Sequence, residues 1–267
     1  MTRAPVLPSL AAAAHGGPAL AVTVVAALLG VAADLPASSV ALVTAAVLAG
    51  QLTIGWGNDL VDTRRDQDVG RSDKPLATGA LSPRLVLGCL AGAAVACVGL
   101  SVAVGGRSAL VHLGLVVAMG HAYNLGLKAT AWSWLPYALA FGSLPAVVSL
   151  AEGRWPDWWL LATGALLGVG AHLLNALPDL ADDVRTGVRG LPHRLGATGS
   201  RVLAAGLLTL GSVLAVVGPG GEPPLWAWLV LVLVGGLAVA SVLGRGRLPF
   251  QAAMAIALVD VVLLVAR

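Results

Sequence analysis

Charge is scarce in this chain. Of its 267 residues, 11% are Asp, Glu, Lys or Arg, against 58% that are hydrophobic. A soluble domain usually carries about 25% charged residues, so a fold bathed in water on every side is excluded. Cysteine is almost absent. Cys89 and Cys97 stand eight apart in one apolar run and read as small core residues, neither a disulfide framework nor a metal site. The formal net charge is only +3, which fits loop basics near lipid headgroups and excludes a nucleic-acid surface. No small-residue cleavage site follows the first apolar run, which is therefore expected to stay as a spanning helix and not to be removed as a signal peptide.

What the chain does have is long apolar runs. Nine of them lie at 18–34, 38–61, 82–104, 108–124, 132–150, 157–177, 198–218, 224–243 and 248–266. Each comes near the ~20 residues that a helix needs to cross a hydrocarbon core. The expected fold is an all-α integral membrane bundle of about nine transmembrane helices around a central cavity, in one domain over 1–267. Residues 1–17 are then a short cytoplasmic N-terminal segment, and 62–82 and 178–198 are cytoplasmic active-site loops.

Orientation follows from the basic residues. Thirteen of the 16 fall on one side: Arg3, Arg64, Arg65, Arg71, Lys74, Arg84, Lys128, Arg185, Arg189, Arg194, Arg201, Arg245 and Arg247. Arg107, Arg154 and Arg267 fall on the other. The richer side is predicted to be cytoplasmic, with the N-terminus inside and the C-terminus outside, as an odd number of spans requires.

The acidic residues are concentrated. Eight of the 13 lie at the end of the second run and in the two breaks after the second and sixth runs. The first break contains NDLVDTRRD at 58–66, and the helical repeat places Asn58, Asp62 and Asp66 on one face. Like charges at this spacing repel, and at a membrane boundary desolvation adds to the cost. A divalent cation removes it, and hard oxygen donors select Mg²⁺, with water and substrate phosphate filling the remaining positions. The second break contains NALPDLADD at 175–183. Laying Asn175 on Asn58 superimposes Asp179 on Asp62 and Asp183 on Asp66. The two clusters sit four spans apart, which suggests two four-helix repeats plus a ninth helix, with the polar site where the repeats meet. Two such carboxylate sets facing one another would hold two Mg²⁺ ions around a diphosphate.

Basic groups accompany both clusters. Arg65, Arg71 and Lys74 follow the first, Arg185 follows the second, and Lys128 with Tyr123 closes the fourth run on the same side. These are the candidates for the free oxygens of a diphosphate.

The first cluster resembles the NDxxDxxxD pattern of the UbiA-type intramembrane prenyltransferases. Its continuation, DKPLATGALS at 73–82, is similar to that family's RPL-x-x-G-x-(I/L)-S segment, with Lys74 in place of Arg. The Asp179 and Asp183 pair and the Tyr123 and Lys128 pair resemble further family features, and the likeness extends over nearly the whole chain. Ala176 stands where relatives often carry another acid, and Asp182 where they often carry Gly. The usual basic residue early in the first helix has no counterpart, His15 being the nearest polar group.

The resemblance implies Mg²⁺-assisted transfer of an isoprenyl group from its diphosphate to an acceptor, often an aromatic ring or quinone precursor. Asn58, Asp62, Asp66, Asp179 and Asp183 would hold metal, while Lys128, Tyr123 and the loop basics would hold diphosphate. An allylic cation would need π-faces or low-dielectric shielding. Trp56, Trp132, Trp134, Tyr137 and Phe141 are placed to offer it, with His172 and Asn175 near an acceptor. Trp155, Trp158, Trp159, Trp226 and Trp228 read as interfacial anchors. His121 and His172 read either as groups acting on an acceptor proton or as packing residues, His112 and His193 as packing residues, and Asp260 as an acid satisfied by snorkelling or a helix contact. Competing readings are a UbiA-like membrane terpene cyclase, a phosphoribosyl transferase acting on a lipid phosphate, and a transporter with acidic ion sites. A transporter would set its carboxylates near mid-membrane; here they lie at the ends of spans.

Overall fold

A computed structural model of the chain describes residues 5–266, and the structural statements below refer to them; Arg3 and Arg267, counted above for orientation, lie outside. The regular structure among the described residues is entirely helical.

Helices α1 (Val6–Ala13) and α2 (Gly16–Ala32) meet at 69°. His15, at φ 53°, supplies the break, in a left-handed conformation that a residue with a Cβ seldom adopts. The segment expected as an N-terminal tail over 1–17 therefore contains a helix of its own from Val6 onward. Helix α3 (Ala37–Asp68) has 32 residues. At 1.5 Å per residue it is ~48 Å long, against a hydrocarbon thickness of about 30 Å, so one end must project. That end carries the first acidic cluster. The expected loop over 62–82 thus begins only after Asp68, the carboxylates standing on rigid helix.

Helix α4 (Pro83–Val104) starts at a proline, with the Ser82 hydroxyl accepting from the Leu85 N–H. The run expected at 108–124 is helical throughout but divided. Helix α5 (Gly106–Val111) passes through a π-helical turn at His112–Val117 into α6 (Ala118–Asn124). Helices α7 (Leu135–Ser149) and α8 (Trp158–Asn175) follow. A short 3₁₀ turn, Leu177–Asp179, leads into α9 (Leu180–Arg185). Helix α10 (Leu191–Val217) is interrupted at Gly196, whose φ of 71° ends its first turns. The expected loop over 178–198 is therefore largely helical, with a short turn at 186–190. Helices α11 (Leu225–Leu243) and α12 (Leu248–Val265) complete the chain.

Seven helices are long and apolar enough to cross a membrane, and eight if the bent α1–α2 pair is one span. Together they make the chain an integral membrane protein. Sequential neighbours pack around a ring, and α12 closes it against α2. Small residues set the close approaches. A Cβ on Gly168 would lie 2.7 Å from both the Tyr137 carbonyl and the Phe141 Cβ, and one on Gly164 would collide with the Phe141 carbonyl. The spacing Gly164 to Gly168 thus lets the α7 backbone lie directly against α8.

Candidate functional site

The projecting end of α3 turns Asn58, Asp62 and Asp66 to one side, as the four-residue spacing predicts. Asp62 is 5% exposed and Asp66 2%. Lys128 Nζ, from the loop after α6, donates to both oxygens of Asp62 at 2.6 Å. Arg65 Nη2 donates to Asp62 Oδ2 at 3.0 Å and Asn58 Nδ2 to the same oxygen at 3.1 Å. Asn58 is itself oriented by Asn124, whose Oδ1 accepts from Asn58 Nδ2 at 3.1 Å while its amide donates to the Ile54 carbonyl at 2.9 Å. Burial pulls the Lys128 ammonium below the usual lysine range, and the adjacent Asp62 opposes that pull.

Arg65 joins this cluster to the second, and Arg71 ties the loop after α3 to the second. Arg65 lies 3.0 Å from Asp62, 3.7 Å from Asp66 and 3.6 Å from Asp183. One guanidinium therefore touches carboxylates from both acidic segments. Arg71 donates from Nη1 to Asp179 Oδ1 at 2.8 Å, and from Nε and Nη2 to the two oxygens of Asp73 at 2.8 and 3.0 Å. Asp73 holds the Arg71 charge more firmly than water would, and Arg71 in turn lowers the Asp73 carboxyl to about 2. On the far side of Asp183, His193 Nε2 stands 3.4 Å from Oδ2.

Lys74 goes elsewhere. Its Nζ donates to Asp59 Oδ1 at 2.6 Å and lies 2.9 Å from His15 Nε2. Asp59 is 1% exposed and its second oxygen has no hydrogen-bond partner. This trio ties the α1–α2 break to α3 and to the loop after it; the direct ion pair of Lys74 is with Asp59, and its ammonium is also within electrostatic reach of Asp66. Arg185 pairs with Asp182 and is largely exposed, making no ion pair with Asp179 or Asp183. Trp56, expected in a cation pocket, is buried against α1, its Nε1 donating to the Leu10 carbonyl at 3.0 Å. Its position two residues before Asn58 turns it to another side of α3.

Beside the carboxylates lies an aromatic group drawn from three helices. Tyr123 meets Tyr137 edge-on at 5.2 Å between centroids and His172 at 5.6 Å. Tyr137 lies 4.8 Å from His172 and stacks on Phe141 at 6.0 Å. Asn175 Nδ2 reaches the Tyr137 hydroxyl at 3.4 Å, and Tyr123 is within electrostatic reach of Asp62 and Asp183. His172 is fixed through Ser133, whose Oγ is 3.0 Å from its Nε2 and accepts from the Leu191 N–H. Trp134 is within ring contact of Trp132, at 6.1 Å, and of no member of this group. Of the aromatic residues expected from this stretch, Tyr137 and Phe141 join the group.

Asn124, Asp73 and His193 entered this neighbourhood unforeseen. Asn124 was signalled by being a lone amide ending an apolar run, and Asp73 by its place within the DKPL motif. Nothing local marks His193.

No three His, Cys, Asp or Glu side chains among the described residues are gathered closely enough to hold a metal ion by themselves. The donor set still suits Mg²⁺. That ion keeps several waters and binds through one or two carboxylates plus substrate phosphate, so a closed protein cage is not required. Each carboxylate here is balanced by Arg or Lys, charges that also match phosphate oxygens.

The sequence matches the UbiA prenyltransferase family over residues 4–260. It is 26% identical over 204 residues to 4-hydroxybenzoate octaprenyltransferase of Dechloromonas aromatica, covering 72% of this chain and 67% of that one. The fold is similar to a UbiA homologue from Aeropyrum pernix, with a TM-score of 0.73 at 18% identity, over 92% of this chain and 96% of that one. It is also similar to a UbiA homologue from Archaeoglobus fulgidus solved with GPP and Mg²⁺, with a TM-score of 0.71 at 15% identity, over 97% of this chain and 100% of the other. An integral membrane prenyltransferase, this chain belongs to the UbiA family.

Proposed function

We propose that this prenyltransferase moves an isoprenyl group from an isoprenyl diphosphate to an aromatic or quinone-precursor acceptor, in a reaction that requires Mg²⁺. The observation that carries the reading is the Arg65 guanidinium, in contact at once with Asp62, Asp66 and Asp183. Carboxylates from two segments far apart in sequence lie within one arginine's reach, a span that a diphosphate would also bridge. Similarity adds support. The Archaeoglobus homologue binds GPP or DMAPP with Mg²⁺, and the Dechloromonas relative is named for 4-hydroxybenzoate.

In this reading Asn58, Asp62, Asp66, Asp179 and Asp183 hold two Mg²⁺ ions, which when bound neutralise charge developing on the departing diphosphate. Lys128, Arg65 and Arg71 exchange carboxylate partners for phosphate oxygens, and the Tyr123 hydroxyl adds a donor. Lys74 acts one step removed, by fixing the loop to Asp59. Tyr123, Tyr137 and Phe141 offer ring faces to the allylic cation, with Asn175 and His172 behind them. The low-dielectric surroundings keep water from quenching that cation. We further propose nine spans, with the divided helix at 106–124 counted as one, arranged as two four-helix repeats and a last helix. The carboxylates then face the cytoplasm, as the distribution of basic residues requires.

The test offers prenyl diphosphates of several lengths to membranes containing the protein, with and without quinone-precursor acids, and identifies products by mass spectrometry. A prenylated acid is expected, lost in Asp62→Ala. A cyclic hydrocarbon or alcohol formed without acceptor would replace transfer with cyclisation.

A further inference from the structure

Asp73 lies outside the two acidic clusters, in the exposed loop between α3 and α4, yet its contacts are specific. It takes the Nε and Nη2 edge of Arg71 with both oxygens, at 2.8 and 3.0 Å. That leaves the Nη1 end free to point elsewhere, and it points at Asp179 Oδ1, 2.8 Å away. An unrestrained arginine side chain has many rotamers, and a two-point fork removes most of that freedom. Arg71 is 20% exposed at its side chain and Asp73 47%, so the pair sits at the mouth of the site with the arginine turned inward. Arg247 Nη2, just before α12, stands 3.6 Å from Asp73 Oδ2. At 75% exposure it is too solvated to fix Asp73.

We infer that Asp73 is a positioning residue for donor binding: it holds Arg71 so that Nη1 is aimed between the two acidic clusters, towards the diphosphate. The inference rests on the reading of Arg71 as a diphosphate ligand given above. Asp73 touches neither the reacting atoms nor the carboxylates of the clusters, and acts only through the direction it gives the guanidinium.

The sign of one substitution separates this role from a bland one. If Asp73 only contributes negative charge, replacing it makes the site more positive and the anionic donor binds more tightly. If it positions Arg71, the same replacement weakens binding although the net charge has moved in the donor's favour. Binding of geranyl diphosphate in the presence of Mg²⁺ is measured calorimetrically on the purified full-length protein in detergent, with inorganic pyrophosphate as a second probe. Asp73→Asn is expected to weaken both by about tenfold, the loss of one charge-assisted contact. Asp73→Glu, which keeps the fork, should recover most of the loss, and Arg247→Ala should change binding less than about twofold. In an Arg71→Ala background, Asp73→Asn should produce no further weakening, because the group it orients is gone. Thermal unfolding of each variant controls for folding. Arg71→Ala weakening the donor while Asp73→Asn leaves or tightens it would overturn the positioning role alone. Arg71→Ala without effect would remove the diphosphate reading of Arg71, and this inference with it.

Discussion

Replacing Lys128 by Met tests the charge arrangement at its centre. Lys128 is 12% exposed at its side chain, Asp62 6%, and the ammonium lies 2.6 Å from both carboxylate oxygens. Removing one partner of a fully isolated buried pair costs about 3–5 kcal/mol, because the other charge is stranded. Asp62 would not be stranded, since Arg65 at 3.0 Å and Asn58 at 3.1 Å remain. The expected loss of stability is therefore smaller, about 1–3 kcal/mol. Two further effects have opposite signs. With one positive charge fewer, Asp62 attracts a divalent cation more strongly, so Mg²⁺ should raise the unfolding temperature of Lys128→Met more than that of the parent protein. A diphosphate loses a charge-assisted contact of about 1.5–3 kcal/mol, or roughly 10- to 150-fold in affinity. Calorimetric titration with geranyl diphosphate and thermal unfolding across Mg²⁺ concentrations read the two separately. Unchanged diphosphate affinity in a folded variant would remove Lys128 from the donor site and refute the exchange of partners.

Asp62→Ala and Asp179→Ala should each abolish Mg²⁺-dependent diphosphate release while the protein still inserts, measured by pyrophosphate detection on membranes of matched content; turnover retained in both would contradict the metal assignment. Gly168→Ala places a methyl 2.7 Å from the Tyr137 carbonyl and the Phe141 Cβ. Separating α7 from α8 should cost about 1–3 kcal/mol as overpacking and displace the aromatic group, giving a lower unfolding temperature together with reduced transfer. A melting temperature equal to the parent's would mean that the two helices are not held in that contact. Arg185→Ala should alter donor affinity less than about twofold, because its partner Asp182 is also solvent-facing; a tenfold loss would restore Arg185 to the site.

Much of the site could be read locally. Asn58, Asp62 and Asp66 share a face because a helix returns to the same side every four residues, whatever lies around it. By the same periodicity Asp59, one residue after Asn58, is turned to another side, where it meets Lys74. Its near-complete burial was not readable, because the groups that bury it come from His15, 44 residues earlier, and Lys74, 15 later. Trp56 misled for a related reason. Nearness in sequence to Asn58 suggested a shared cavity, but two residues of helix rotate a side chain by about 200°, and α1 was waiting on that side. The proposed N-terminal tail became a helix because its apolar residues have α3 to pack on, a surface that exists only once the chain has folded.

Composition and the spacing of a few residues determined the solvent this protein lives in, its helical class, and the face of α3 that carries Asn58, Asp62 and Asp66. These are properties of single helices, set by 1.5 Å of rise and 3.6 residues per turn, and they hold before any helix finds a neighbour. Only the tertiary structure decided which basic group meets which acid: Lys128 on Asp62, Lys74 on Asp59, Arg71 between Asp73 and Asp179. Long, flexible side chains with equal charge compete for the same carboxylates, and the winner is fixed by where separate helices place their ends, which no local pattern encodes.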